Sequence, residues 1–180
     1  MIEWDVDDSW ALFLDRDGVL NRRIVGGYVT KPSAFEWLPG VLPALRLLTS
    51  RFSPTVIVTN QQGVGKGLMS AADLDEVHRK LREQARYAGA DIDAIYACTS
   101  LASEGDPRRK PGIGMFADAR AEFPGIAPER SIMVGDSASD IAFARAAGMH
   151  AVHIGGPGAA ALAADHSFAY LYDFALALGE

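Results

Sequence analysis

The sequence predicts an α/β protein built on an open, parallel sheet, and three observations lead there. Short apolar runs, each at least partly β-branched or aromatic, recur at 11–14, 55–58, 95–97 and 132–134, with a shorter and more polar fifth run at 151–154. Segments of helical spacing lie between them. The runs are close to continuously apolar, which suits strands buried on both faces rather than the alternation of a half-exposed antiparallel sheet.

Taken in order, the run at 11–14 is the first strand, and a helix is expected after Pro39. The strand at 55–58 leads to the clearest helix, in which Leu74, Val77, His78, Leu81, Ala85 and Ala88 share one stripe. Ser70, with Asp73 three residues later, carries the capping signature that starts it. The strand at 95–97 precedes a helix near 113–122; the strand at 132–134 precedes one over 139–147, with Gly148 as its stop. After 151–154, the segment 168–178 reads as a final packed helix, or a strand and a helix. Such β–α alternation folds through right-handed crossovers and places a ligand beyond the carboxyl ends of the strands.

Length and composition set the outer bounds. The chain has 180 residues, 49% of them hydrophobic, enough for the core of one domain spanning 1–180. With one cysteine there is no disulfide framework. No apolar stretch approaches the roughly 18 residues of a membrane helix, and the start MIEWDVDDSW is acidic where a signal peptide is basic, so a cytoplasmic protein without a membrane partner is expected. The net charge of -6 argues against broad nucleic-acid binding, which needs clustered Lys and Arg. A small anionic ligand held by a few local cations remains compatible. The loops at 21–37 and 98–111 are long enough to cover a site.

The strand ends carry the chemistry. The first run ends in Asp15, Arg16, Asp17 and Gly18, the second in Thr59, Asn60 and Gln61, and the fourth in Gly135, Asp136 and Ser137, with Asp140 close behind; Lys110 follows the third run after a loop. On a parallel sheet these groups converge at one edge. Gly18 permits the turn that lets Asp15 and Asp17 face one ligand. Asp136 adds a third carboxylate, and such hard oxygen donors suit Mg²⁺ bound together with a phosphate. A carboxylate repels a phosphate dianion by roughly 4 kcal/mol at about 4 Å and an effective dielectric of 20, so a metal ion and Lys110 are needed to reverse the sign. In that setting Asp15 attacks phosphorus, Asp17 serves as general acid and then base, and Thr59 and Lys110 hold the phosphoryl oxygens. Asp140 either backs the metal and holds Lys110 or is only the first-turn acid of its helix.

Four segments, FLDRDGVLN, VIVTNQQGVGKG, RRKPGIGM and MVGDSASD, resemble the four motifs of the haloacid dehalogenase (HAD) superfamily of phosphatases. The resemblance runs from about Leu12 to Gly148. DRDG, the Gly27–Val29 string GYV, TNQ and RKP resemble most the heptose bisphosphate and histidinol phosphate phosphatase branch. It implies a Rossmann-like three-layer α/β/α fold without a large cap domain. It further implies Mg²⁺ on Asp15, the Asp17 main-chain carbonyl and Asp136, and substrate contacts from Gly27, Tyr28, Asn60, Gln61 and Arg109. The expected activity is hydrolysis of a small phosphate ester by a monomer. The substrate is a sugar phosphate such as D-glycero-D-manno-heptose 1,7-bisphosphate, with histidinol phosphate as the alternative.

One departure bears on that branch. Its zinc loop carries Cys-x-His and Cys-x-Cys pairs, but this chain reads Cys98, Thr99, Ser100 and then Asp106, Pro107, Arg108. One ligand of four remains, so no structural zinc is expected, and the loop is expected to be ordered instead by Pro107, Arg108 and Arg109 against substrate or surface.

Other features are assigned plainer roles. Gly63 to Gly67 lacks the Gly and the Ser or Thr of a phosphate-binding P-loop and reads as a flexible turn. His150 and His153, three apart in a strand, point to opposite faces. His78 reads as a packing residue and Cys98 as a small buried side chain. Among Arg22, Arg23, Lys31, Lys66 and Arg109, Arg109 is preferred for a second anionic group on the substrate, and the others default to solvated charges. A signalling receiver domain shares Asp, Mg²⁺, Thr and Lys, but there the accepting Asp lies in a middle strand and the acidic pair follows the first.

Overall fold

A computed structural model describes residues 2–179. Six parallel strands, β1 (Ala11–Leu14), β2 (Thr55–Asn60), β3 (Ala94–Cys98), β4 (Ser131–Gly135), β5 (His150–Ile154) and β6 (His166–Phe168), form one sheet in the order β3-β2-β1-β4-β5-β6. The five expected strands are present, each at least as long as its apolar run. β6 opens in His166 and Ser167 and pairs only with β5, so it has too little apolar character to stand out in the sequence.

The helices are α1 (Val41–Thr49), α2 (Ala71–Tyr87), α3 (Gly114–Glu122), α4 (Ala138–Ala147), α5 (Ala159–Ala163) and α6 (Leu171–Ala177). Side chains alternate across a strand, and β1 shows the consequence. Leu12 and Leu14 join a core layer with α1, α2 and α6 residues such as Leu45, Leu81 and Phe174, while Ala11 and Phe13 join a second layer with Phe116 of α3 and Phe143 of α4. Both layers are closed to solvent, giving the three-layer α/β/α arrangement expected.

α2 begins as its sequence predicts: Ser70 Oγ accepts from the Asp73 N–H at 3.1 Å, and Asp73 Oδ2 accepts from the Ser70 N–H at 2.8 Å. Its stripe of Leu74, Val77, Leu81 and Ala85 is buried. α4 ends on Gly148 at φ 77°, a left-handed position that glycine adopts without strain. Among the described residues no helix is long and apolar enough to cross a membrane.

Candidate active site

The strand order reverses between β1 and β4. The chain leaves β1 toward β2 on one side, then returns from β3 to β4 on the other, and the crevice between the two departures is where ligands bind in such sheets. Leu14 pairs with Val134, and the Asp15 N–H donates to Val134 O at 2.9 Å, so Asp15 and Asp136 leave the sheet side by side. Gly18, at φ 93°, makes that proximity possible: a Cβ there would lie 1.9 Å from Asp136 Oδ2. Carboxylate oxygens of Asp15, Asp136 and Asp140 all lie within 4.8 Å of one another.

Lys110 is buried among them. Its Nζ donates to Asp15 Oδ1 at 2.9 Å and Val58 O at 2.8 Å, and stands 2.6 Å from Asp140 Oδ1. Asn60 grips the lysine main chain from both sides: its Oδ1 accepts from the Lys110 N–H at 3.0 Å and its Nδ2 donates to Lys110 O at 3.2 Å. Asp140 both holds Lys110 and caps its helix. One oxygen holds Lys110, and the other accepts from the Ser137 N–H at 3.1 Å and Oγ at 2.6 Å, capping α4. Gly135 leaves room for it, since a Cβ there would lie 2.1 Å from Asp140 Cβ.

Asp17 lines the same pocket but is held by other partners. Its carboxylate accepts from Arg16 Nη2 at 3.1 and 3.2 Å, Asn21 Nδ2 at 2.8 Å and Gln61 Nε2 at 2.6 Å. Burial alone would raise its pKa, but the Arg16 charge and the hydrogen bonds from Asn21, Gln61 and Arg16 hold it below the usual carboxylate range. Arg16, fully buried, also meets His78 Nε2 through Nη1 at 3.0 Å. Burial and the nearby Arg16 push the His78 pKa down to about 3, so the ring is neutral and accepts from the guanidinium. No motif or periodicity singles out Arg16, and His78 does more than pack.

Burial raises two of the acids. It outweighs the attraction of Lys110, with smaller repulsion from Asp140 and Asp136, and pushes Asp15 up to about 7; burial, opposed by Arg23, pushes Asp136 up to about 6. Lys110 is raised in turn, because the charges of Asp15 and Asp140 overcome its desolvation. Three carboxylates against one buried lysine leave the cluster short of positive charge, and its donors are all oxygen. That composition suits a hard divalent cation. Arg23 already reaches toward it, placing Nη2 2.6 Å from Asp136 Oδ1 and 3.2 Å from the main-chain O of Asp17.

A pocket of about 270 Å³ opens over these groups, lined by Asp15, Asp17, Arg23, Ile24, Gly27, Tyr28, Asn60, Lys110, Ser137, Ser139 and Asp140. Gly27 and Tyr28 thus stand at its mouth, with Lys66 Nζ 5.3 Å from the centre of the Tyr28 ring. Thr59 is buried, and its Oγ1 accepts from Gln61 Nε2 at 2.9 Å. Gln61, expected to touch substrate, is itself buried and bonded to Thr59 and Asp17. Arg109 is half-buried outside the pocket lining, with Nη1 shielded from solvent and without a hydrogen bond among the described residues.

The loop after β3 is ordered around Asp106, which the sequence marks only as a missing zinc ligand. Asp106 Oδ2 accepts from Ser100 Oγ at 2.5 Å and from Cys98 Sγ at 3.7 Å, while Oδ1 accepts from the Arg108 N–H at 2.8 Å. The side chains at three of the four positions that carry zinc ligands in the resembled branch therefore meet through hydrogen bonds, and the fourth joins through its main chain. The Arg108 side chain pairs with Asp118 on the surface at 2.9 Å.

Comparison with known proteins gives a consistent picture. A family model described as HAD-hydrolase-like matches residues 107–172. The chain is 46% identical over 177 residues, 96% of its length and 93% of the relative's, to D-glycero-alpha-D-manno-heptose-1,7-bisphosphate 7-phosphatase of Mycobacterium tuberculosis. It is 37% identical over 149 residues, 77% of this chain and 79% of the relative, to the D-glycero-beta-D-manno-heptose-1,7-bisphosphate 7-phosphatase of Rhodopseudomonas palustris. Among solved structures, the D,D-heptose 1,7-bisphosphate phosphatase of B. bronchiseptica, complexed with magnesium and phosphate, superposes with a TM-score of 0.82 at 28% identity, covering 94% of this chain and 97% of that one. With four motifs converging on one crevice and relatives aligned along nearly the whole length, the chain belongs to the haloacid dehalogenase superfamily, in its family of heptose-bisphosphate phosphatases.

Proposed function

We propose that this HAD phosphatase is a Mg²⁺-dependent hydrolase that removes one phosphate from a heptose 1,7-bisphosphate through an aspartyl-phosphate intermediate. The observation that carries the reading is the meeting of Asp15, Asp136 and Asp140 around Lys110 at the switch point of the sheet. The relatives' names supply the sugar.

Asp15 Oδ1 is held by Lys110 and by the Arg16 N–H at 2.8 Å, which leaves Oδ2 as the atom that attacks phosphorus. As the new P–O bond forms, the bond to the sugar oxygen breaks, and Asp17 delivers a proton to that oxygen. Water then attacks phosphorus, Asp17 takes its proton, and the bond to Asp15 breaks to release phosphate. Because Thr59 Oγ1 accepts from Gln61, its own hydroxyl proton is free for a phosphoryl oxygen, and Lys110 supplies charge to another. Asp15, Asp136 and the Asp17 main-chain carbonyl would hold Mg²⁺, which neutralises the phosphate and the carboxylates that face it. Gly27, Tyr28 and Asn60 would border the sugar, Arg109 would meet its second phosphate, and Gln61 would act on the substrate through Thr59 and Asp17. The residues fit a single domain acting alone.

The test is released phosphate from a panel of esters with Mg²⁺, including both anomers of heptose 1,7-bisphosphate and histidinol phosphate. Preferred turnover of a heptose bisphosphate is expected. Asp15→Asn and a chelator should each abolish turnover with the fold intact by circular dichroism. Equal, poor turnover of every ester would remove the proposed substrate, and activity in Asp15→Asn would remove the mechanism.

A further inference from the structure

We propose that Arg23 is a resident cation at the metal position, displaced when a divalent ion binds and then turned into the pocket to join Arg109 at the second anionic group of the substrate. This rests on the phosphatase reading above and adds a residue to it. Nη2 of Arg23 contacts Asp136 Oδ1 at 2.6 Å and the main-chain O of Asp17 at 3.2 Å, two oxygens from different strands that converge only at this crevice. Mg²⁺ holds its oxygens at about 2.0 to 2.1 Å, so a guanidinium on the same two atoms would clash with it and repel it. One cation must leave, and the surroundings of Arg23 determine which.

The loop is pinned just before Arg23 and loose just after it. Arg22 donates its N–H to Glu36 O at 2.8 Å and pairs with the Glu36 carboxylate at 3.0 Å, and Asn21 bridges to Trp37. Beyond Arg23, Val25 is 95% exposed and Gly26 sits at φ 71° with open space around it. The Arg23 side chain is itself 49% exposed. The half-exposed side chain thus has solvent to turn into, whereas Asp136 directly follows β4. Arg23 also lines the pocket with Ile24 and with Gly27 and Tyr28, which are proposed to border the sugar. A substrate with one phosphate at Asp15 and another anionic group directed outward would present that group to the released guanidinium. A monophosphate would not.

The exchange is read by isothermal titration of Mg²⁺ into the whole protein without substrate, comparing wild type, Arg23→Lys and Arg23→Ala. Loss of a half-exposed competing ion pair should tighten Mg²⁺ binding about fivefold in Arg23→Ala, with Arg23→Lys between. Unchanged or weaker binding in Arg23→Ala would overturn the exchange. The second role is read by KM for a sugar bisphosphate and for the matching monophosphate: Arg23→Ala should raise the former about tenfold more than the latter, and an equal change in both would overturn it. If no ester is hydrolysed by the wild type, the phosphatase reading falls while the calorimetry still reports on the exchange.

Discussion

Lys110 and Asp140 form a buried ion pair at 2.6 Å, and the carboxylate oxygen not used by the lysine caps the helix that follows Asp136. One acid thus couples the charge proposed to bind phosphate to the start of α4. A buried lysine tolerates its desolvation only while its counter-charges remain. Asp140→Ala leaves Asp15 as the remaining carboxylate on Lys110 and strips the cap from Ser137. We predict a loss of about 3 kcal/mol in stability and about a hundredfold in kcat/KM, the second from displacement of the Lys110 ammonium. Urea denaturation and steady-state kinetics check both. A variant of wild-type stability would show that the pair carries no net weight.

Gln61 is bonded to Asp17, the residue proposed as acid and base. Its Nε2 donates to Asp17 Oδ2 at 2.6 Å, and that bond helps to keep the Asp17 pKa low. Gln61→Leu removes the donor, so Asp17 keeps its proton to higher pH. The first chemical step needs that proton, and the alkaline limb of the kcat/KM profile should therefore move upward. By the same argument a larger share of Asp17 is protonated at neutral pH, so kcat/KM there should rise, by up to about tenfold for loss of one charge-assisted hydrogen bond. A profile superimposable on the wild type would place Gln61 outside the proton transfer.

Much of this arrangement was legible in the sequence because it depends on strand ends. Asp15 and Thr59 follow an apolar run directly and Asp136 follows one after Gly135, and a parallel sheet aligns such positions whatever the loops do. Residues whose role arises from contacts between distant segments were harder to read. Arg16 looks like a solvated charge between two acids until β2 and α2 pack over it, and Arg23 looks like one until its loop folds back on Asp136. Asp106 gave no periodic signal, and its value depends on the path of the loop from Cys98. β6 is short and polar because it lies at the edge and buries little.

His78 accepts from Arg16 as a neutral ring, and burial followed by the Arg16 charge lowers its pKa from the ordinary 6.5 to about 3. The unfolded chain binds a proton at this site below about pH 6.5, and the folded chain does not until about pH 3. The unfolded state thus holds more protons across that window, and stability is lost as pH falls through it. At pH 5 the contribution is about 2 kcal/mol. His78→Gln keeps an acceptor for Arg16 but does not titrate, so its stability should decline less between pH 7 and pH 5. Denaturation at the two pH values measures the difference, and parallel losses in both proteins would assign the acid sensitivity elsewhere.

Asp106 gathers Cys98, Ser100 and the Arg108 N–H, and its own carbonyl accepts from the Arg109 N–H at 3.0 Å. Lys110 follows immediately, so the loop's closure sets where the ammonium enters the pocket. Hydrogen bonds, not a metal, are expected to maintain that closure in this chain. A zinc-selective chelator applied with Mg²⁺ in excess should leave Tm and kcat unchanged. Asp106→Ala should lower Tm and reduce kcat/KM roughly tenfold by loosening the approach of Lys110, while Asp106→Asn, which keeps an acceptor for Ser100, should recover part of both. Protein purified with one equivalent of zinc, and destabilised when it is withdrawn, would show that the loop is closed by metal after all.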